Sequence, residues 1–178
     1  MRRIVWDCET KNSPTKVGWQ NFQSMGVQMC CIYDYELDEY RVYTDENKDE
    51  FLELYYHNWK VVLIGYNSKQ FDKNLIDKCW RDPVQQTHAS HFDIYHEICV
   101  ANSNRFSKGK LDDVARLTIG ENKLPIDFSN ASFVHKLNYC LRDVWVTKRL
   151  FDYVLRHKGV VTPEGFCRFL RSEGLSIV

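Results

Sequence analysis

Short apolar runs alternate with amphipathic segments along this 178-residue chain. RRIVWD and VVLIGYN are predicted strands, and GVQMCCIYDYE and EYRVYTDE are predicted to pair as a hairpin that turns around Leu37 and Asp38. HFDIYHEICV, later in the chain, is predicted to be a further strand. KNSPTKVGWQNFQSMG and RDPVQQTHAS are predicted to be loops, the first because it contains Ser13, Pro14 and two glycines.

Helical spacing of apolar residues follows two of these strands. Apolar positions recur every three or four residues between Glu46 and Trp59, which predicts a helix there. After VVLIGYN, a second predicted helix has Phe71, Leu75 and Cys79 on one face. Continuous apolar strands separated by helices favour an α/β domain whose sheet is at least partly parallel and covered on both faces.

The last third of the chain is predicted to be mainly helical. LDDVARLTIG forms a short predicted helix that ends at Gly120, and LNYCLRDVWVTKRLFDYVLRHKG forms the longest one, ending at Gly159. A small terminal helix is expected after Pro163. We therefore expect a single domain over residues 1–178, with residues 160–178 as a candidate C-terminal helical extension. The core stripe of the longest helix is expected at Leu137, Cys140, Leu141, Val144, Phe151, Val154 and Leu155.

The charge balance restricts the ways in which this chain could bind nucleic acid. Hydrophobic residues make up 44% of the chain and charged residues 27%, as in an ordinary globular protein. Lys and Arg together number 24, as do Asp and Glu, so the net charge is zero. This balance argues against a large basic nucleic-acid-binding surface, but not against an enzyme that meets phosphates through metal ions.

The cysteines and the amino terminus indicate a cellular compartment. The seven cysteines show no CxxC pair and no zinc-type spacing, and several lie in apolar runs such as MCCIY. We expect reduced, buried thiols in a reducing compartment. MRRIVWDCET contains no long apolar segment, and no stretch of the chain could span a membrane. We expect a cytoplasmic protein with no membrane partner and no tightly bound organic cofactor.

Three separate stretches contain acidic residues near the ends of predicted elements. In IVWDCET, Asp7 and Glu9 lie on one side of the strand because alternate residues face the same way. In GYNSKQFDKNLI, Asp72 falls in the first turn of a predicted helix, where an acid is favourable for the helix dipole. In YCLRDVWVTKRLF, Tyr139 and Asp143 are four residues apart, at the border between core and solvent. Each stretch alone also has a purely structural interpretation.

Together, the patterns DxET, GYNxxxFD and YCxxDVxxT resemble the DEDD superfamily of 3′→5′ exonucleases. The chain is most similar to the tyrosine (DEDDy) branch, as in the proofreading domains of family A and B DNA polymerases, which has Tyr four residues before the last Asp. The other branch has His five residues before that Asp, where this chain has Asn138. The resemblance runs from Ile4 to about Val154. It implies a ribonuclease-H-like mixed β-sheet flanked by helices on both faces.

The resemblance also implies a two-metal site. Carboxylate ligands without His or Cys suit hard ions, so the expected cofactors are two divalent cations, Mg²⁺ or Mn²⁺. By resemblance, Asp7 bridges the two ions, Glu9 and Asp143 complete the first site, and Asp72 holds the second. Tyr139 is expected to orient the attacking water, because a tyrosine with its ordinary pKa of about 10 is a weak base at neutral pH.

Other residues are expected near the substrate or in structural positions. Thr10, Asn67 and Phe71 match substrate-binding positions of the family. Trp19 and Phe22 are candidates for base stacking, although a core role is the preferred interpretation of both. Three further acids are interpreted as structural, namely Asp93, Asp112 and Asp113.

The leading functional hypothesis is a stand-alone 3′→5′ exonuclease that hydrolyses terminal phosphodiester bonds and releases nucleoside 5′-monophosphates. Its expected partners are 3′ ends of single-stranded DNA or RNA, with DNA favoured because the motifs resemble proofreading domains. An exoribonuclease stays open, since the motifs do not read the 2′-hydroxyl. The further alternatives are a metal-dependent endonuclease or resolvase, and an inert nucleic-acid-binding module.

Overall fold

The computed structural model describes residues 1–56, 60–80, 89–102, 109–128 and 130–169. Five strands form one sheet, namely β1 (Arg2–Thr10), β2 (Val27–Asp34), β3 (Glu39–Tyr43), β4 (Val61–Gly65) and β5 (Ser90–Asp93). Their order is β3-β2-β1-β4-β5. The first three strands pair antiparallel, whereas β1, β4 and β5 pair parallel, so the sheet is mixed.

Helices cover both faces of this sheet. They are α1 (Pro14–Val17), α2 (Phe22–Met25), α3 (Lys48–Tyr56), α4 (Asp72–Cys79), α5 (Ile94–Ala101), α6 (Leu111–Ile119) and α7 (Phe133–His157). One core cluster joins the sheet to α5, α6 and α7, and a second joins its other face to α2, α3 and α4. None of the helices in the described ranges has the length and apolar character to cross a bilayer.

The alternation along β1 sends its residues to both cores, as predicted. Val5 belongs to the cluster under α7, whereas Ile4 and Trp6 belong to the cluster under α3 and α4. The hairpin of β2 and β3 is also confirmed, with Asp38 in a left-handed turn conformation (φ 52°) that Asp tolerates. The core stripe of α7 is buried at Cys140, Val144, Phe151 and Val154 and partly buried at Leu137, Leu141 and Leu155.

Two predictions on the first two-thirds of the chain were wrong. HFDIYHEICV is not one strand, because the strand ends at Asp93, whose carboxylate accepts a hydrogen bond from the His96 amide and caps α5. The segment between β1 and β2 is not only a loop but contains α1 and α2, the latter capped by Asn21. Residues 81–88, most of the loop predicted at RDPVQQTHAS, lie outside the described residues.

The carboxyl-terminal prediction was also wrong over residues 160–168. Helix α7 ends at His157, two residues before the predicted stop at Gly159, with Lys158 in the left-handed conformation (φ 60°). Gly159 begins a hairpin of β6 (Gly159–Thr162) and β7 (Gly165–Arg168) in place of the expected helix. A Cβ atom on Gly159 would lie 2.2 Å from the Cys167 carbonyl oxygen, so close strand pairing requires glycine there. Residues 170–178 lie outside the described ranges.

All seven cysteines are free thiols. Five of them are buried, as expected, but Cys79 and Cys99 are only half-buried. The prediction of uniformly buried thiols was therefore correct only in part.

Candidate active site

A cleft of about 760 Å³ opens where β1 and β4 end, beside α7. The structure brings the residues singled out from the three sequence motifs together there, although they are far apart along the chain. Those lining the cleft are Asp7, Glu9, Thr10, Asn67, Phe71, Asp72, Tyr139 and Asp143.

Asp7 and Glu9 lie on the α7 side of β1. Burial raises the pKa of Asp7 well above its ordinary value, and the charges of Asp72 and Asp143 raise it further. Burial, followed by the charge of Asp143, raises the pKa of Glu9 to about 8, although Lys123 acts against this shift. The two carboxylates are thus costly to ionise together unless positive charge is added.

Asp72 begins α4 and is 4% exposed. Its Oδ1 accepts a 2.9 Å hydrogen bond from the Cys8 amide on β1. Burial raises the pKa of Asp72 to about 7, against the lowering effect of that hydrogen bond. Asp72 therefore faces the other acids in spite of its ordinary helix-start position.

The turn before α4 is held tightly. The carboxylate of Asp93 accepts hydrogen bonds from the amides of Asn67 (2.8 Å) and Lys69 (2.9 Å), which gives Asp93 the structural role expected for it. Asn67 has a left-handed backbone (φ 61°). A Cβ atom on Gly65 would lie 2.3 Å from Ser68 Oγ, so the chain can turn this sharply only with glycine at that position.

Asp143 and Tyr139 lie close together on α7, and Lys123, which precedes this helix, contacts both. Lys123 Nζ is 2.5 Å from Asp143 Oδ2 and 4.7 Å from the centre of the Tyr139 ring. Burial raises the pKa of Asp143, and Lys123 opposes that shift. Burial and the charge of Asp143 raise the pKa of Tyr139 to about 12, so its hydroxyl stays protonated at neutral pH.

Lys123 was missed in the sequence because no motif marks it. The pKa of Lys123 is raised, because Asp143 and Tyr139 outweigh the lowering effect of burial. Its amine is therefore protonated at neutral pH. Its amide donates a 2.8 Å hydrogen bond to Asp112 Oδ1, so Asp112 does more than begin α6. Two residues before Lys123 in the chain, Glu121 forms ion pairs with two arginines of α7, Arg142 (3.0 Å) and Arg149 (2.8 Å).

Cys140 is a second residue at the site, and its position there was not predicted from the sequence. Its Sγ lies 3.4 Å from both the carbonyl oxygen and Oδ2 of Asp7. The sulfur and one carboxylate oxygen each of Asp7 and Glu9 lie within 4.8 Å of one another. Cys140 was predicted as a core residue, and it is also fully buried.

Aromatic rings and lysines border the acids. Trp19 is 64% exposed and contacts the edge of Phe71, so its predicted core role was wrong, whereas Phe22 packs against the second core as preferred. Phe128 contacts the Tyr139 ring edge-on, with ring centres 5.1 Å apart. The lysines that line the cleft are Lys11, Lys16, Lys123 and Lys136.

The donor set of this cleft fits hard divalent cations. Carboxylates dominate it, and their raised pKa values follow first from burial and then from the negative charge of neighbouring acids, which Lys123 and Lys136 only partly offset. Asp143 Oδ1 is buried and makes no hydrogen bond within the described part of the chain. Oxygen ligands with uncompensated charge are what Mg²⁺ and Mn²⁺ require.

The sequence matches no protein-family model and no curated protein. Its structure is similar to the family B DNA polymerase from the hyperthermophilic archaeon Pyrobaculum calidifontis, with a TM-score of 0.62 and 17% identity over 87% of this chain and 24% of that chain. Exonuclease I is also similar (TM-score 0.49, 17% identity, 89% of this chain, 44% of that chain). The zinc-bound complex of Escherichia coli exonuclease I with single-stranded DNA is similar too (TM-score 0.47, 17% identity, 89% of this chain, 43% of that chain).

These similarities concern the fold. The chain spans less than half the length of each of these proteins. The mixed five-stranded sheet with helices on both faces confirms the predicted ribonuclease-H-like α/β fold.

Proposed function

We propose that this chain is a metal-dependent 3′→5′ exonuclease of the DEDDy type, acting on single-stranded nucleic acid with DNA preferred over RNA. One observation supports the proposal most strongly. The carboxylates of Asp7, Glu9, Asp72 and Asp143 meet around one cleft, and the pKa of each is raised by burial. Selection for stability alone would not gather four acids, three of them buried and Asp7 partly buried, because their mutual repulsion opposes folding.

The same four acids would hold two Mg²⁺ or Mn²⁺ ions. When bound, such ions activate a water and stabilise the leaving oxygen of an in-line displacement. Tyr139 remains protonated at neutral pH, so its hydroxyl can orient that water but does not remove its proton. Lys123 opposes the rise in the pKa of Asp143 and would place one fixed positive charge near a phosphate bound in the cleft.

The walls of the cleft suit a flexible single strand. The exposed indole of Trp19 and the partly buried ring of Phe71 offer aromatic surface on which terminal bases can stack, and Thr10 and Asn67 are assigned to contact the last nucleotide. Three lysines besides Lys123 can meet phosphates, which reconciles nucleic-acid binding with a net charge of zero. The preference for DNA rests on the resemblance of the motifs to polymerase proofreading domains.

The test is digestion of single-stranded DNA and RNA oligonucleotides of equal sequence, each labelled at the 5′ end. With Mg²⁺ or Mn²⁺ we expect stepwise shortening from the 3′ end, nucleoside 5′-monophosphate products, faster cleavage of DNA, and no cleavage in EDTA. Cleavage of a circular strand would indicate an endonuclease instead, and faster loss of RNA an exoribonuclease. Binding without cleavage under any metal condition would show an inert module.

Asp7→Asn is the negative control for contaminating nuclease, because it removes one charge from the acidic cluster and keeps the side chain's size. Activity of Asp7→Asn at the parental rate would contradict the assignment of the site.

A further inference from the structure

The thiol of Cys140 lies under the acidic cluster of the cleft. It is fully buried on α7, and its Sγ is 3.4 Å from Asp7 Oδ2. The Cys140 sulfur, one carboxylate oxygen of Asp7 and one of Glu9 all lie within 4.8 Å of one another. This spacing allows one ion to contact sulfur and two carboxylates after small side-chain rotations.

A second, independent feature indicates spare ligand capacity in the same cleft. Asp143 is 3% exposed, and its Oδ1 has no hydrogen-bond partner among the described residues. A buried carboxylate oxygen without a partner is costly, and a cation that enters the cluster would satisfy it. The sulfur and the two carboxylates of Asp7 and Glu9 supply three protein donors, the number found in a zinc site that keeps one position open.

The mixture of sulfur and oxygen donors discriminates between ions. Mg²⁺ and Mn²⁺ prefer oxygen and gain little from a thiolate, whereas Zn²⁺ binds Cys sulfur and carboxylates in the same site, and Cd²⁺ is softer still. A serine hydroxyl at this position would be one more oxygen donor and would not favour Zn²⁺ or Cd²⁺ over Mg²⁺. Cys140 therefore adds to an oxygen site the one donor type that hard ions leave unused.

We propose that Asp7, Glu9 and Cys140 bind a thiophilic divalent ion such as Zn²⁺, in a mode that competes with the hard ions of the proposed nuclease. The thiol proton of Cys140 passes to solvent as the sulfur–metal bond forms, and no electron transfer is involved. Competition follows because Asp7 Oδ2, which lies beside the sulfur, is also needed by the hard ions. The competition rests on the proposed function, whereas the binding mode does not.

The direct test is zinc X-ray absorption on the full chain, stripped with EDTA and loaded with one equivalent of Zn²⁺. We expect a sulfur shell at ~2.3 Å together with oxygen at ~2.0–2.2 Å. Cys140→Ser should lose the sulfur shell, and the matched control Cys99→Ser, which removes a half-buried thiol outside the cleft, should keep it. An oxygen-only shell in the parent, or sulfur retained in Cys140→Ser, would overturn the inference.

A second variant keeps the test decisive if Cys140→Ser does not fold. Cd²⁺ titration of Glu9→Gln should give the same ultraviolet cadmium–thiolate band as the parent at saturation. The affinity should fall by roughly tenfold or more, because even residues that only support a ligand contribute about 10–100-fold. Unchanged Cd²⁺ affinity in Glu9→Gln would mean that the thiolate binds elsewhere, and the inference would fail.

Activity measurements separate the inference from the proposed function. With Mg²⁺ present, Zn²⁺ should inhibit cleavage by the parent, and excess Mg²⁺ should relieve the inhibition. Cys140→Ser should need at least tenfold more Zn²⁺ for the same inhibition. A sulfur shell in a protein that cleaves nothing would refute only the nuclease proposal, and cleavage without a sulfur shell would refute only this inference.

Discussion

The backbone amide of Cys8 donates a 2.9 Å hydrogen bond to Oδ1 of Asp72, a residue 64 positions later in the chain. The amide belongs to the strand that presents Asp7 and Glu9, so one bond fixes the distance between two of the three acidic motifs. It also lowers the pKa of Asp72 against the effect of burial. This hydrogen bond therefore positions Asp72 relative to Asp7 and Glu9.

Removing one acid should abolish catalysis and stabilise the metal-free fold. Asp7→Asn removes a carboxyl group whose pKa is raised first by burial and then by repulsion from Asp72 and Asp143, and each unit of such a shift corresponds to about 1.4 kcal/mol. We expect no cleavage, and in EDTA a rise in Tm of roughly 2–4 °C or more. Thermal denaturation measures the shift. Glu53→Gln, an exposed acid on α3, is the matched control and should leave Tm nearly unchanged.

The stability of the metal-free protein should fall as pH rises from roughly 4 to about 8 and then level off. The pKa of Glu9 is raised to about 8 and that of Asp72 to about 7, both above the unfolded value of roughly 4. The folded protein therefore retains protons that the unfolded chain has released, and the free energy of unfolding decreases until pH exceeds the folded-state pKa values. Burial lowers the pKa of His91 to about 4, which opposes this trend only below about pH 6.5.

Urea denaturation between about pH 6.5 and 8.5 isolates this effect. In EDTA we expect the midpoint to decrease over that interval, and with Mg²⁺ the decrease should largely disappear because the cation favours the ionised acids. A midpoint that rises with pH in EDTA would contradict the raised pKa values.

Loss of the Tyr139 hydroxyl should slow cleavage without stopping it. The pKa of Tyr139 is raised to about 12, so the phenol positions water and does not act as a base near neutral pH. For Tyr139→Phe we expect a rate roughly tenfold to a hundredfold lower, the usual cost of lost positioning. Single-turnover assays across pH should show a parallel decrease at every pH. A changed shape of the pH profile would argue for proton transfer by Tyr139.

Lys123→Met should separate metal binding from catalysis. Lys123 contributes positive charge beside Asp143, so its removal leaves the acidic cluster more negative. We expect half-maximal activity at a lower Mg²⁺ concentration but a slower maximal rate, because the charge near the phosphate is lost. Lys78→Met, at an exposed position on α4, should change neither quantity. A higher Mg²⁺ requirement in Lys123→Met would contradict this assignment.

Trp19→Ala should weaken substrate binding more than turnover. Trp19 is 64% exposed, so the substitution should have little effect on the free energy of unfolding. If a base stacks on the indole, its loss costs about 1–3 kcal/mol of binding. We expect a higher KM with kcat nearly unchanged, and a smaller quenching of tryptophan fluorescence by single-stranded DNA. Phe166→Ala, an exposed aromatic outside the cleft, is the control.

Sequence periodicity predicted those parts of the fold and site that depend on near neighbours in the chain. Alternation along β1 placed Asp7 and Glu9 on one side, and a four-residue spacing placed Tyr139 beside Asp143 on one helix. It failed where a local signal was ambiguous. Ile94 and Ile98 fit both a strand and a helix, and the cap at Asp93 decides for the helix.

Local pattern by itself determined the five strands of the sheet and the helices α3, α4, α6 and α7, and it determined which residues share one face of β1 and of α7, because side-chain direction follows from backbone period. Only the tertiary structure decided that Lys123 pairs with Asp143 and that the Cys140 sulfur lies beside Asp7. Those positions depend on contacts between distant segments, such as Glu121 with Arg142 and Arg149. The pKa shifts of the acids likewise depend on burial and on charges brought together by folding, and no spacing of residues along the chain encodes either.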